Sequence, residues 1–490
     1  MKRQLIQDAL TEIKDKHILE AATYKKPRVL PWIGTVAAVL ALVIGLQFLQ
    51  VPLAMKAEAV VLADEPRVES QPQREDYVSD AQWQAENDLW QEQQKLRKLM
   101  NQKTTDQMEP FLYKSLRVFL RNQDENLLCS PANAYLGLAM AAELTGGDTQ
   151  QQLLKALGTE NLEELRLQAS ALWENVFAGG STQSVVHTNR GTGVVRVTNL
   201  HEVSTLANSL WLDDSLDYDR RAMAPLARHY YASVYRQDLS DPQAAKNIGA
   251  WIDQNTGNLL TEASGSIELP DDARIALYST IYFQSRWADE FDASKNTDAI
   301  FHGASADAVT TFMNKNSYQT YYYFGNNFGA VALELKNGST MWFLLPKEDK
   351  TVADILDDPQ YLELLTGSSY EYTSKKYMLV NLSVPKFDVQ AKKDLKEGLM
   401  GLGITDLFRY GSADFSASLE EPAFISSANQ AVRVKIDETG VTAAAYIELP
   451  AAGAAAPPDE IIDFILDRPF LFLITDSTGI PLFAGSVQNP

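Results

Sequence analysis

The chain is nearly free of cysteine, since Cys129 is the only one among its 490 residues. No disulfide can form within the chain, so a folded domain of this length must be stabilised by its apolar core. Cys129 follows two leucines, which is typical of a small buried side chain. A catalytic thiol would need a histidine nearby, and the sequence identifies no such pair.

Familiar catalytic and metal-binding motifs are also missing. The five histidines form no HExxH motif and no clustered ligand set, so no metal site is predicted. The sequence has no GxSxG elbow, no GxxxxGK[ST] loop and no GxGxxG after a strand. We therefore predict that the chain is not an enzyme and that it needs no cofactor.

Positive charge is scarce, with 43 basic residues against 64 acidic ones and a net charge of −21. This balance argues against nucleic acid as a partner. Copies of a strongly acidic chain repel one another, so the protein is expected to be a monomer. The hydrophobic share of 45% and the aromatic share of 10% indicate a folded protein.

Charge is absent altogether from residues 29–55, which are mostly apolar. This run is long enough for a membrane-spanning helix, and many more basic residues precede it than follow it. We predict one transmembrane helix at 29–54, a cytoplasmic segment at 1–28, and an extracellular remainder. The alternative is a signal peptide cleaved near Ala57, which would make the protein secreted.

Residues 55–107 are polar and predict an extracytoplasmic linker with a helix at 80–100. A narrow apolar stripe on this helix fits a solvated spacer, a contact for a partner, or a segment resting near the membrane.

Residues 108–490 predict a single α+β domain. Its first half is helix-rich and includes a helix at 244–260, while the polar stretch at 179–204 predicts a surface excursion. Its second half is strand-rich and ends in apolar runs at 464–475 and 480–487. Helices early and strands late, without βαβ alternation, are typical of large antiparallel sheets.

A long stretch of small residues precedes the last strands. It has no proline between Gly440 and Leu449, so this part can join a β-ladder. Its side chains alternate between two faces. One face is apolar and mostly small: Val441, Ala443, Ala445 and Ile447. The other carries the polar and bulky groups: Thr442, Ala444, Tyr446 and Glu448. The pattern predicts a loop that is held out from a sheet and is able to enter it.

Nine motifs in order resemble the serpin family, and together they cover residues 108–490. They are NLLCSP at 126–131, LANSLW at 206–211, the helix at 248–260, IYFQSRW at 281–287, the strands at 333–346, VPKF at 384–387, the DL, LGI and ADFS series at 394–416, DRPFLF at 467–472, and LFAG at 482–485. With the predicted anchor, the resemblance indicates a membrane-anchored member of the bacterial type.

The resemblance implies a serpin fold with an exposed reactive-centre loop at 438–458, and a suicide inhibitor of proteases. In the family, the cleaved bond lies at a typical spacing after the hinge residue, here Glu438, and before a pair of prolines, here at 457–458. Both spacings put the cleaved bond of this chain at Ala454–Ala455. Alanine before the cut suits a shallow pocket, so an elastase-like serine protease is the expected target, with a cysteine protease as a further possibility. The alternative is a non-inhibitory serpin that acts as a surface binding or structural protein.

Several positions depart from the family pattern. Val441 replaces the usual hinge threonine, and Pro450 removes a ladder donor near the cut. The resemblance also implies a sheet-opening region built from Ser130, Asn133, Ser279 and Gln430. In this region serine replaces the family's asparagine at 279, and glutamine replaces its histidine at 430.

Overall fold

The computed structural model describes most of residues 107–490, with gaps at 122–124, 177–180, 189–194, 271–272, 367–371, 426–427 and 442–459. Before residue 107 it describes only residues 60–63 and a few positions between 79 and 91. The predicted cytoplasmic segment at 1–28 and the predicted span at 29–54 therefore lie outside the described residues. Among those that are described, no helix is long and apolar enough to cross a membrane.

Helices dominate the first half of the domain, as the sequence predicts. They are α1 (107–119), α2 (Pro131–Leu144), α3 (Gly147–Ala156), α4 (Leu162–Val176), α5 (Arg220–His229), α6 (Pro242–Asn255) and α7 (Thr261–Ser264), followed later by α8 (Val352–Leu356), α9 (Pro359–Thr366) and α10 (Lys396–Gly401). Helix α2 begins where Pro131 follows the Ser130 cap, whose hydroxyl accepts a hydrogen bond from the amide of Asn133. Almost all of α2 is buried, so it forms the centre of the core.

The main sheet has eight strands among the described residues, in the order β1-β5-β4-β6-β14-β13-β12 with β3 paired to β4. The strands are β1 (Val60–Ala63), β3 (Ser181–Thr188), β4 (Val195–Asp213), β5 (Ala232–Gln237), β6 (Ile275–Arg286), β12 (Phe387–Asp394), β13 (Asn429–Ile436) and β14 (Gly440–Val441). Among these eight described strands, β4 and β5 form the one parallel pair.

The second sheet has nine described strands, in the order β15-β11-β8-β9-β10-β16-β17-β2 with β7 paired to β8. They are β2 (Leu127–Cys129), β7 (Thr297–His302), β8 (Asp307–Phe324), β9 (Phe328–Glu334), β10 (Thr340–Pro346), β11 (Lys375–Pro385), β15 (Ile461–Ile465), β16 (Phe470–Thr475) and β17 (Pro481–Val487). Strand β11 pairs in parallel with β15, which lies at the edge of the sheet.

Three strands of the second sheet, β2, β16 and β17, are buried along their whole described length, as expected of strands covered on both faces. Cys129 is free and buried, and burial raises the pKa of its thiol to about 12. This environment fits a core side chain and opposes a thiolate nucleophile.

Four local predictions differ from the structure. The stretch predicted as a surface excursion at 179–204 contains the antiparallel hairpin of β3 and β4, in which residues 181–188 pair with residues 195–202. The helix predicted at 244–260 ends at Asn255, since Gly257 and Asn258 adopt positive φ. The run at 464–475 divides into β15 and β16 around Pro469. Finally, the predicted linker contributes β1, which pairs with β5 at the edge of the main sheet.

Candidate functional site

The start of the predicted loop is a tight turn at the end of the main sheet, formed by residues 437–441, which we call the hinge. The amide of Asp437 donates to the Gly440 carbonyl at 3.0 Å, so β13 turns directly into β14. The Asp437 carboxylate accepts hydrogen bonds from the Thr439 amide at 2.9 Å and the Gly440 amide at 3.3 Å. Strand β14 then pairs with β6 on one side and β13 on the other.

Gly440 is required by its close approach to β6. A Cβ atom at this position would lie 2.3 Å from the carbonyl oxygen of Ser285 and 2.5 Å from the Cα of Arg286. Both are backbone atoms and cannot move aside without distorting β6. The next residue, Val441, is only 2% exposed and belongs to the core, so the chain enters the sheet at this point.

Three side chains outside the loop hold the hinge in place. The indole of Trp287 donates to the Asp437 carbonyl at 2.8 Å, and the amide of Trp287 donates to the Thr439 carbonyl at 3.0 Å. Glu438 forms an ion pair with Lys386 at 2.5 Å and accepts a hydrogen bond from Asn296.

These contacts decide the charge of Glu438. Burial by itself would raise the pKa of this carboxyl, but hydrogen bonds from Lys386, a backbone amide and Asn296 outweigh burial and hold the pKa below its usual range. Glu438 is therefore ionised at neutral pH, and its ion pair with Lys386 is maintained.

The strands on either side of the hinge do not pair with each other anywhere in the part of the chain that the structure describes. Adjacent strands in a sheet lie about 4.8 Å apart, so β6 and β13 are separated by roughly 10 Å where β14 lies between them. We call the space between β6 and β13 beyond Val441 the slot. Its width at the hinge is that of one extended strand.

The four residues predicted for sheet opening lie together at the slot, and we call them the opening cluster. The Ser130 amide donates to Oε1 of Gln430 at 2.9 Å, and Nε2 of Gln430 donates to the Ser130 carbonyl at 2.9 Å. Nδ2 of Asn133 donates to the Ser279 carbonyl at 2.8 Å. The start of α2 is thus hydrogen-bonded to both strands that flank the slot.

Two buried polar atoms of the opening cluster lack a hydrogen-bond partner, namely Oγ of Ser279 and Oδ1 of Asn133. The sheet is therefore held by fewer side-chain hydrogen bonds than the cluster could form.

Reasoning from the sequence identified only part of this site. It named Glu438, Gly440 and Val441 but missed Trp287, Lys386 and Asn296. Trp287 lies within the motif at 281–287 and Lys386 within the motif at 384–387, but neither motif indicates a contact with the hinge. The remaining predicted loop residues lie outside the described residues. They are Thr442, Ala443, Ala444, Ala445, Ile447, Ala454 and Ala455.

Comparisons with known proteins agree on one family. The sequence model of the family described as "Serpin (serine protease inhibitor)" matches residues 107–490. A curated relative, alpha-1-antiproteinase S of Cavia porcellus, is 30% identical over 389 residues, covering 78% of this chain and 89% of that protein.

Solved structures show the same fold. The native thermophilic serpin tengpin has a TM-score of 0.67 at 21% identity, covering 89% of this chain and all of the other. Thyroxine-binding globulin in complex with thyroxine has a TM-score of 0.61 at 22% identity, covering 79% and 98%. From the family match over 107–490 and the 30% identity to a curated relative, the chain belongs to the serpin family.

Proposed function

We propose that the chain inhibits serine proteases by being cleaved in its loop and trapping the protease covalently. The observation that carries this proposal is the position of Gly440 and Val441, which already lie as a strand between β6 and β13. The chain after them leads to β15 at the edge of the second sheet. Cleavage between these two points would free the chain after Val441 to extend β14 along the slot.

The chemical step uses the groups of the protease. Its nucleophilic serine attacks the carbonyl carbon of Ala454, and the amide bond to Ala455 breaks. The new amine of Ala455 leaves with a proton from the base of the protease, and Ala454 remains bound as an ester. Extension of β14 would then draw the attached protease along the main sheet before water hydrolyses the ester.

The target class follows from the residue before the cut. A methyl side chain fits a shallow pocket and contributes nothing to a pocket with a buried acid or a deep aromatic slot. The proposed target is therefore an elastase-like serine protease. A cysteine protease with a similarly small pocket would form the corresponding thioester.

The location is part of the same proposal. The uncharged run at 29–55, with basic residues on its N-terminal side, supports a membrane anchor that leaves the serpin domain outside the cell. The loop would then meet secreted or foreign proteases at the cell surface.

A binding protein without inhibitory activity is the competing function. Thyroxine-binding globulin has this fold and is described in complex with thyroxine, so the fold alone does not imply inhibition. Pro450 favours this alternative, because it removes one ladder donor from the segment that would insert.

Incubation of the full chain with elastase-like and trypsin-like proteases tests the proposal. We expect an SDS-stable complex with the elastase-like enzyme, and a released peptide whose mass corresponds to residues 455–490. The variant Ala454→Arg should transfer complex formation to the trypsin-like enzyme. Absence of an SDS-stable complex with every protease would favour the non-inhibitory binding protein.

A further inference from the structure

The slot changes size along its length. Level with Ile281 of β6 and Val432 of β13 lies a cavity of about 20 Å³. Farther from the hinge, a cavity of about 150 Å³ is lined by Leu277, Ser279, Ala428, Gln430, Gly137 and Leu399, with α2 and α10 forming its floor. The first volume holds little more than one water molecule, whereas the second is large enough for a benzene-sized group.

The register of β14 determines which loop residues would reach each cavity. Gly440 and Val441 lie opposite Arg286 and Ser285, so each further step along the loop moves one step back along β6. Val441 also lies opposite Ile436, which sets the same rule for β13. Continued without a bulge, this register places Ala445 between Ile281 and Val432. It places Ile447 between Ser279 and Gln430, and Leu449 between Leu277 and Ala428.

The face of each side chain follows from β13. Gln430, Val432, Val434 and Ile436 are buried, and the side chain of Gln430 reaches Ser130 at the start of α2. Residues directly opposite one another in a sheet share a face. The side chains at 445, 447 and 449 would therefore point toward α2 and into the two cavities.

The side chains of the loop match the two cavities in size. The alanine at 445 meets the small cavity, and the isoleucine and leucine at 447 and 449 meet the large one. Pro450 comes next and cannot donate to a ladder, so Leu449 is the last inward residue before the pairing is interrupted.

We propose that the large cavity is a preformed seat for Ile447 and Leu449, and that filling it provides much of the stability of the inserted loop. This inference rests on the proposed function, because the seat is filled only when the loop enters the slot. Gly440 and Val441 start the insertion, whereas Leu449 completes it.

Leu449→Ala tests the seat, with its neighbour Glu448→Ala on the opposite face as the matched control. After cleavage of the full chain, Leu449→Ala should lower the melting temperature by about 3–6 °C relative to cleaved wild type, and Ile447→Ala by a similar amount. The melting temperatures of the uncleaved variants should stay within about 1 °C of wild type. Equal melting temperatures for cleaved Leu449→Ala and cleaved Glu448→Ala would contradict the proposal that the large cavity is the seat of Leu449.

The melting temperatures distinguish an error in the proposed seat from an error in the proposed function. If cleaved wild type melts well above the intact chain but Leu449→Ala has no effect, the seat is wrong and insertion stands. If cleavage changes no melting temperature, both are wrong. A synthetic peptide with the sequence of residues 442–450, which continues from the strand already formed by Gly440 and Val441, provides a measurement without protease. It should bind the intact chain at least about tenfold more tightly than the peptide with alanine at 449, and equal binding would contradict the seat.

Discussion

Cleavage of the Ala454–Ala455 bond in the full chain is expected to raise its melting temperature by more than about 10 °C. Loop insertion as proposed would extend β14 and add about ten ladder hydrogen bonds at roughly 1 kcal/mol each. For a domain of this size, the entropy of unfolding is such that about 0.8 kcal/mol of added stability raises the melting temperature by one degree. Differential scanning calorimetry of intact and cleaved chain measures the shift directly.

A cut elsewhere provides the control for this shift. Proteolysis before residue 57, which leaves β1 attached to the domain, should leave the melting temperature of the domain within about 2 °C of the intact value. Equal melting temperatures for the intact chain and the chain cleaved at Ala454 would contradict loop insertion.

If the chain is an inhibitor as proposed, Val441→Arg is expected to convert it into a substrate of the protease. Val441 is 2% exposed and lies between Ser285 and Ile436, so a guanidinium there would be buried without a carboxylate opposite it in either ladder. An unpaired buried charge costs several kcal/mol, and β14 should therefore leave the sheet. The number of chain molecules cleaved for each protease molecule trapped should rise at least about tenfold, as measured by titration and SDS gel.

Thr442→Arg is the matched control for this variant. Continued by one residue, the register of β14 would place Thr442 opposite Lys435, which is exposed, so a long charged side chain there would have access to solvent. We expect it to keep most of the trapping activity. If Val441→Arg traps protease as well as Thr442→Arg does, the assignment of the two faces is wrong.

The fold was predictable wherever the local pattern and the tertiary contacts agree. The alternating residues of β13 and the apolar β17 form strands as expected, since packing and propensity favour the same state. Strand β1 was missed because its four residues have no partner nearby in the sequence and pair only with β5 among the described strands. The hairpin of β3 and β4 was missed because β3 is mostly polar and its two valines are adjacent, so it lacks the alternation that marks a strand.

The site was predictable in its residues more than in its geometry. Motif order identified Ser130, Ser279 and Gln430, but their spacing along the chain carries no information on which atoms bond. The two hydrogen bonds between Gln430 and Ser130 depend on how α2 docks against β13. The need for glycine at 440 depends on the backbone of β6, which no local pattern encodes.

Hydrogen exchange across the slot shows whether the loop inserts between β6 and β13. We predict that cleavage at Ala454 slows exchange of every second amide in 277–284 and in 429–435, because the amides facing the slot would gain ladder partners. The alternate amides of β6, which already bond to β4, should change little. Unchanged exchange on the slot side of both strands after complete cleavage would contradict insertion of the loop between β6 and β13.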